Sequence, residues 1–281
     1  MNFPDLIAAD HLQALLRDGP SPVVLDTSFD LADTGAGERS FREGHLPGAR
    51  YVHLDRDLSA PKTGTNGRHP LPSREAFAAT AARLGIAPQT PVVVYDRQGA
   101  MFAARAWWML RWLGHEAVAV LDGGLPAWQQ AGGALETEVA AFAALSAYPL
   151  RDPRVRMVDA ASLLQRLGVA RVIDARAPER FRGDVEPLDT QAGHIPGARN
   201  RFFKDNLAAD GRFKPAEELR DEFRHLLAVG DPAEVVHQCG SGATACHNLL
   251  AMEIAGLHGS ALYPGSWSEW SSDPSRPVAR G

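Results

Sequence analysis

Short apolar runs alternate with longer amphipathic segments along the whole chain. The apolar runs are rich in β-branched residues and nearly continuous, which is typical of strands covered on both faces. The segments 74–84, 103–113, 216–227 and 244–255 have apolar residues at helical spacing. This alternation predicts an α/β fold with mainly parallel sheets flanked by helices. The predicted strands are residues 23–25, 92–95, 118–121, 172–173, 235–236 and 261–263.

The chain contains an internal repeat. Short blocks of the first half return in the second half in the same order, and chance does not explain all of them together. We therefore predict two homologous domains, residues 1–138 and 154–281, joined by a proline-containing linker at 139–153. The alternative is one large domain with a long loop. The paired blocks are VVLD at 23–26 with RVID at 171–174, HLPGA at 45–49 with HIPGA at 194–198, VVVYD at 92–96 with VVHQC at 235–239, and LDGGLPAW at 121–128 with YPGSWSEW at 263–270.

Composition narrows the class of protein. The chain has 281 residues, 45% of them hydrophobic and 22% charged, which are ordinary values for a globular protein. A net charge of −5 without a basic run argues against nucleic-acid binding. The two cysteines, Cys239 and Cys246, exclude a disulfide framework, and reduced thiols suit the cytosol. Because no apolar stretch reaches the length of a membrane span, we expect a cytoplasmic protein that binds no membrane.

The segment with the clearest chemistry connects a predicted strand to a predicted helix through the sequence CGSGAT at 239–244. Glycines allow successive N–H groups to point inward, and the helix start adds unpaired N–H groups and a positive dipole end. A sulfur in that position is favoured as a thiolate, and an anionic donor can bind beside it. We expect Cys239 to be the nucleophile. The predicted binding residues are Gly240, Ser241, Gly242, Ala243 and Thr244, with hydroxyl donors from the serine and threonine.

Neither a metal nor an organic cofactor is needed for this chemistry, and the histidines lack metal-ligand spacing. The competing interpretation of Cys239 is a buried, inert cysteine, which would not need the glycine-rich turn that follows it. Cys246 lies about two helical turns further on, and we predict a packed core residue in preference to a resolving thiol. Trp107, Trp108 and Trp112 lie at helical spacing and predict core packing.

At these motifs the sequence resembles the two-domain rhodanese superfamily of thiosulfate and 3-mercaptopyruvate sulfurtransferases, over nearly its whole length. The resemblance implies that the C-terminal domain is catalytic and that Cys239 carries a persulfide. Asp96 occupies the matching position of the first domain. That domain therefore resembles the inactive, structural half of the family.

The resemblance also bears on the sulfur donor. The loop is similar to the CGSGVT loop of the mercaptopyruvate type, with Ala243 in place of valine. Arg180 matches an arginine that the family uses to bind the donor, although a surface arginine paired with Glu179 or Asp174 is the alternative. The mercaptopyruvate type often has a second arginine after Glu-Pro, where this chain has Leu188. That departure keeps thiosulfate open as a donor.

Three histidines have possible roles near the site. His45 and His194 are a repeated pair, which favours an architectural role, while the resemblance implies that His45 helps to position the donor. His237 precedes the nucleophile by two residues, shares its strand face, and could tune the thiolate.

These observations predict an enzyme that moves sulfur from 3-mercaptopyruvate to a thiol, cyanide or thioredoxin-like acceptor through a Cys239 persulfide. Thiosulfate is the alternative donor. A phosphatase of the Cys-x5-Arg kind needs an arginine where this chain has Ala245. A non-catalytic binding module fits the first half, which lacks the thiol, better than the second.

Overall fold

The computed structural model describes residues 3–19, 21–228 and 230–281 and divides into two compact units. The first unit comprises Met1–Ser59, Pro72–Arg154 and Ala209–Arg212, and the second comprises Ala60–Leu71, Val155–Ala208 and Phe213–Gly281. Each unit contains one five-stranded sheet. Within the described residues, no helix is long and apolar enough to cross a membrane.

The sheet of the first unit has the strand order β1-β5-β4-β2-β3, with every neighbouring pair parallel. The crossover connections place helices against the sheet, as parallel pairing requires. The strands are β1 (Leu6–Ile7), β2 (Val23–Asp26), β3 (Arg50–Tyr51), β4 (Val92–Tyr95) and β5 (Val118–Leu121). The helices are α1 (Ala9–Asp18), α2 (Ala36–Glu43), α3 (Leu54–Asp57), α4 (Arg74–Arg83), α5 (Ala103–Trp112) and α6 (Gly124–Gln130).

The second unit repeats this arrangement with the strand order β6-β10-β9-β7-β8, again parallel throughout. Its strands are β6 (Arg156–Met157), β7 (Arg171–Asp174), β8 (Arg199–Asn200), β9 (Val235–Gln238) and β10 (Ala261–Leu262). Its helices are α7 (Ala160–Gln165), α8 (Pro178–Arg182), α9 (Ala216–Leu227), α10 (Thr244–Ile254) and α11 (Ser266–Trp270), with 3₁₀ turns at Phe203–Asn206 and Pro232–Glu234.

The central strands are buried on both faces. All four residues of β4 and β5 are buried, which explains why their sequences are continuous apolar runs. β9 is equally buried, although it ends in the polar residues His237 and Gln238. Trp107 and Trp108 are fully buried and Trp112 nearly so, which confirms the core prediction for these tryptophans. The α/β prediction with parallel sheets is confirmed in both units.

Each compact unit contains one short segment from the other half of the sequence. The division at residues 138 and 154 assigns segment 60–71 to the first domain, whereas this segment belongs to the second compact unit, and Ala209–Arg212 belongs to the first. The backbone N–H of Arg68 donates to Oγ of Ser268 at 2.9 Å. In the first unit, a Cβ atom on Gly123 would lie 3.0 Å from the Arg212 side chain. Hydrophobic periodicity does not reveal this exchange because both segments are polar loops.

Candidate active site

Cys239 follows directly after β9, at the carboxyl end of a central strand, and the loop 239–243 leads into α10. Ligands of parallel α/β sheets bind at this edge. The carbonyl oxygen of Cys239 accepts from the N–H of Trp267 at 2.9 Å, and that of Gly240 accepts from Ser268 at 2.9 Å. The loop is therefore held along its length by the first turn of α11.

Two backbone N–H groups point at the sulfur of Cys239. Gly242 donates to Sγ at 3.1 Å and Ser241 at 3.4 Å. Gly242 has a φ of +78°, and a Cβ atom there would overlap the carbonyl oxygen of Pro264, so the position requires glycine. These two donors stabilise negative charge on the sulfur, or on a second sulfur attached to it.

The sulfur is less open than the sequence alone suggests. Cys239 exposes only 2% of its surface, Ala243 is buried, and Thr244 is half-buried at the start of α10. A donor can therefore contact Sγ only where neighbouring side chains leave room or move aside. The groups facing Sγ within the loop are amide donors, which suits an anion.

Ser266 anchors Cys239 and is strained. Its Oγ accepts from the N–H of Cys239 at 3.1 Å and donates to the carbonyl oxygen of Tyr263 at 3.0 Å. Ser266 has a φ of +55°, whereas the matching residue of the first unit is Gly124 with a φ of +56°. A side chain in this left-handed region costs about 1–2 kcal/mol. The sequence did not single out Ser266, although a serine at the position of Gly124 in the first repeat was a visible signal.

Ser241 contacts a residue far away in the sequence. Its Oγ lies 2.7 Å from Nδ1 of His69, and both side chains are buried. His69 lies in segment 60–71, so the sequence analysis did not associate it with the nucleophile. The signal was a further repeat block: NGRHPLP at 66–72 resembles DGRFKP at 210–215.

Arg180 lies in a buried network of charges. Its Nη2 donates to Glu186 at 2.6 Å and to Asp189 at 3.2 Å, and not to Glu179 or Asp174, the partners considered from the sequence. The two acids have side chains only 3% exposed, and that of Arg180 is 18% exposed. Arg176 donates to Glu186 at 3.3 Å. Burial raises the pKa of Asp189, against the opposing effect of the nearby arginines.

Arg68 is a second arginine beside the loop and was missed by the sequence analysis. It forms an ion pair with Asp189 through Nη1. A Cβ atom on Gly240 would lie 2.8 Å from Nη2 of Arg68 and 3.5 Å from Nη1 of Arg180. Both guanidinium groups therefore approach the residue that follows Cys239.

His45 and His194 have nearly identical surroundings in their two units. Nδ1 of His45 lies 2.7 Å from the carbonyl oxygen of Phe41, and Nδ1 of His194 lies 2.8 Å from that of Phe181. Each imidazole ring also stacks on the phenylalanine whose carbonyl oxygen it contacts, with ring centroids 3.9 Å apart in both units. This shared geometry favours the architectural interpretation, and a donor-positioning role for His45 stays a prediction.

His237 and Cys246 lie in the core beside the site. Nε2 of His237 lies 3.1 Å from the sulfur of Met252, and burial lowers the pKa of this histidine to about 3. The ring is therefore neutral at physiological pH and adds no positive charge near the thiol. Cys246 is fully buried, as predicted, and its Sγ donates to the carbonyl oxygen of Gly242 at 3.3 Å.

The corresponding loop of the first unit holds a carboxylate in its ring of N–H groups. Oδ1 of Asp96 accepts from Gln98 and Ala100, each at 2.9 Å. Oδ2 accepts from Phe102 at 2.8 Å and Ala103 at 3.0 Å. Burial raises the pKa of Asp96 while these four N–H groups oppose that effect. The loop geometry is thus shared by the two units, but here the N–H groups bind an internal carboxyl group and the loop offers no nucleophile.

Comparison with known proteins shows the family to which the chain belongs. The model of the rhodanese-like domain matches residues 8–131 and again 158–273. The chain is 47% identical, over 100% of both sequences, to a probable 3-mercaptopyruvate sulfurtransferase of Pseudomonas aeruginosa. It is 43% identical to the putative thiosulfate sulfurtransferase SseB of Mycobacterium tuberculosis, over 98% of this chain and 97% of the relative. The solved 3-mercaptopyruvate sulfurtransferase of Leishmania major superposes with a TM-score of 0.82 at 29% identity, covering 95% of this chain and 74% of that one.

Proposed function

Because the chain belongs to the rhodanese family and is a sulfurtransferase, we propose that it takes sulfur from 3-mercaptopyruvate onto Cys239 and passes it to a thiol or to cyanide. The single observation that carries this proposal is the pair of N–H groups of Ser241 and Gly242 directed at Sγ. They favour the thiolate that attacks and the persulfide that results.

The first half-reaction is a displacement at sulfur. The thiolate of Cys239 attacks the donor's sulfur, the carbon–sulfur bond breaks, and its electron pair leaves with the pyruvate enolate. The enolate takes up a proton to give pyruvate, while Cys239 holds the transferred sulfur as a persulfide. In the second half-reaction the acceptor attacks that outer sulfur, and Cys239 leaves as the thiolate. The enzyme is therefore restored without a net change, and the kinetics are ping-pong.

The donor's anionic end needs cations and N–H groups beside the sulfur. Arg180 approaches Gly240 and can fork onto a carboxylate. The loop residues Gly240, Ser241, Gly242, Ala243 and Thr244 supply the surrounding backbone, and Ser241 and Thr244 add hydroxyl groups. To the hydroxyl of Ser241, which contacts His69, we assign the donation of a hydrogen bond to the oxygen that becomes negative in the enolate.

Thiosulfate is the second candidate donor, with sulfite as the leaving group. Leu188 stands where the mercaptopyruvate type often has an arginine, and the SseB relative is named a putative thiosulfate sulfurtransferase. Against it, the residues next to the nucleophile, Gly240 and Ser241, are uncharged. The two arginines that approach Gly240 are already paired with Glu186 and Asp189, so a singly charged donor suits this loop better. A cytoplasmic location, where thiols and thioredoxin-like proteins are available as acceptors, belongs to the same proposal.

The test compares the two donors with cyanide as acceptor. We expect kcat/KM for 3-mercaptopyruvate to exceed that for thiosulfate. Incubation with donor alone should add the mass of one sulfur atom to the protein. Cys239→Ser should lose both turnover and this mass change, because serine cannot hold the transferred sulfur.

Cys246→Ser is the matched control, since it changes the other cysteine and keeps a donor to the carbonyl oxygen of Gly242. It should retain the mass change. Turnover by Cys239→Ser would refute the persulfide mechanism, and a clear preference for thiosulfate would refute the choice of donor.

A further inference from the structure

Two guanidinium groups converge on the space above Gly240. Nη2 of Arg68 would lie 2.8 Å from a Cβ atom on this glycine, and Nη1 and Nη2 of Arg180 would lie 3.5 and 3.8 Å from it. Because Gly240 follows the nucleophile directly, an anion lying over it is next to the reacting sulfur. A larger residue at position 240 would occupy the space that the two guanidinium groups approach.

Both arginines have hydrogen-bonding capacity left for a ligand. Nε of Arg68 and Nε of Arg180 are buried and have no hydrogen-bond partner among the residues that the structure describes. A guanidinium has five N–H donors, and buried donors without partners are costly. An anion bound between the two guanidinium groups would accept hydrogen bonds from N–H groups that have no partner within the described part of the protein.

The acids of the network orient these arginines. Asp189 pairs with Arg68 through one oxygen and with Arg180 through the other, so one carboxylate fixes both guanidinium groups. The backbone N–H of Arg68 is also held by Ser268 at 2.9 Å.

Arg68 also lies beside the position where an arginine is missing. Leu188 has a side chain 46% exposed and is followed directly by Asp189, the partner of Arg68. An arginine at residue 188 would start from the same stretch of backbone. Arg68 therefore brings a positive charge close to the stretch of backbone where Leu188 provides none.

We propose that Arg68 is the second arginine that binds the carboxylate of the sulfur donor, together with Arg180, and that it replaces the arginine absent at residue 188. This inference rests on the proposed function, since it names the residues that recognise an α-keto acid donor. Two forked guanidinium groups hold a planar carboxylate with its carbon chain directed at Cys239.

The experiment measures both half-reactions of Arg68→Ala with 3-mercaptopyruvate and cyanide. Loss of a charge-assisted contact lowers the donor's kcat/KM by about 10- to 100-fold. The kcat/KM for cyanide should not change, because in ping-pong kinetics it reports only the step after pyruvate has left. Arg68→Lys keeps the charge but not the fork and should fall between the wild type and Arg68→Ala.

Two further variants make the test specific. Arg212→Ala is the matched control, because Arg212 lies in the counterpart segment, and it belongs to the first unit beside Gly123. It should leave both kcat/KM values unchanged. Adding Leu188→Arg to Arg68→Ala should restore part of the donor's kcat/KM, since it returns a cation to the same neighbourhood.

The outcomes separate this inference from the proposed function. A wild type without turnover of 3-mercaptopyruvate refutes both. An active wild type with an equally active Arg68→Ala refutes the inference alone. An equal loss of kcat/KM in both half-reactions also refutes the inference, because a merely structural role would produce it. If Arg68→Ala does not fold, Arg68→Lys is compared with the wild type in the same way.

Discussion

Replacing Gly242 with alanine should weaken sulfur transfer by disturbing the N–H group that faces the sulfur. Gly242 has a φ of +78°, and its N–H donates to Sγ of Cys239 at 3.1 Å. A Cβ atom at this residue would overlap the carbonyl oxygen of Pro264. The overlap is with backbone, so it is relieved only by a shift of the loop or of the Pro264 carbonyl group.

The size of the effect follows from two contributions. The left-handed conformation costs alanine about 1–2 kcal/mol of folding stability. The loop shift removes a hydrogen bond to a charged sulfur, worth about 1.5–3 kcal/mol. If that loss falls on the attacking thiolate, the donor's kcat/KM decreases by roughly 10- to 150-fold.

Gly197→Ala separates the two contributions. Gly197 also has a positive φ, +81°, but a Cβ atom there meets nothing within 4 Å. This variant should lose about 1–2 kcal/mol of stability from backbone strain and keep its activity. The measurements are the midpoint of urea unfolding and the donor's kcat/KM for both variants. Equal activity of Gly242→Ala and Gly197→Ala would refute the role given to the Gly242 N–H group.

Two other predictions concern stability. Burial lowers the pKa of His237 from 6.5 to about 3. Between these pH values the unfolded chain binds a proton that the folded chain does not. The second unit is therefore most stable above about pH 6.5 and loses stability as the pH falls towards about 3. At about pH 5 the loss is about 2 kcal/mol, and His237→Gln should flatten this part of the urea-unfolding profile; an unchanged pH dependence would contradict it. Asp96→Asn replaces an oxygen that accepts two N–H groups with an amide NH₂, so the unfolding free energy should fall by about 3 kcal/mol, whereas the exposed Asp18→Asn should not change it.

The fold was largely predictable because its signal is local. Buried parallel strands give continuous apolar runs, and the predicted helices at 74–84 and 244–255 end within one residue of α4 and α10. Four of the five two-residue strands, β1, β3, β6 and β8, were not predicted, because two residues are too few to show a period, whereas β10 lies within the apolar run 261–263. Their pairing comes from the tertiary structure.

The strand–loop–helix geometry around Cys239 was predictable for the same reason, and its surroundings were not. Cys239 and its donors lie within four residues of sequence, whereas the contact between Ser241 and His69 spans 172 residues. Arg68 and His69 look like ordinary polar loop residues until the chain is folded. The repeat NGRHPLP and DGRFKP showed that the segments correspond, but it did not show that each belongs to the other unit.

The exchange of segments makes the second unit dependent on sequence that precedes it. A chain beginning at Val155 would retain Cys239, its N–H donors and Arg180, but it would lack residues 60–71 and with them Arg68 and His69. Ser241 would lose its imidazole contact, and Asp189 would lose one of its two arginines. The two halves are therefore not separable at the linker, because residues 60–71 and Ala209–Arg212 each belong to the unit formed mainly by the other half of the chain.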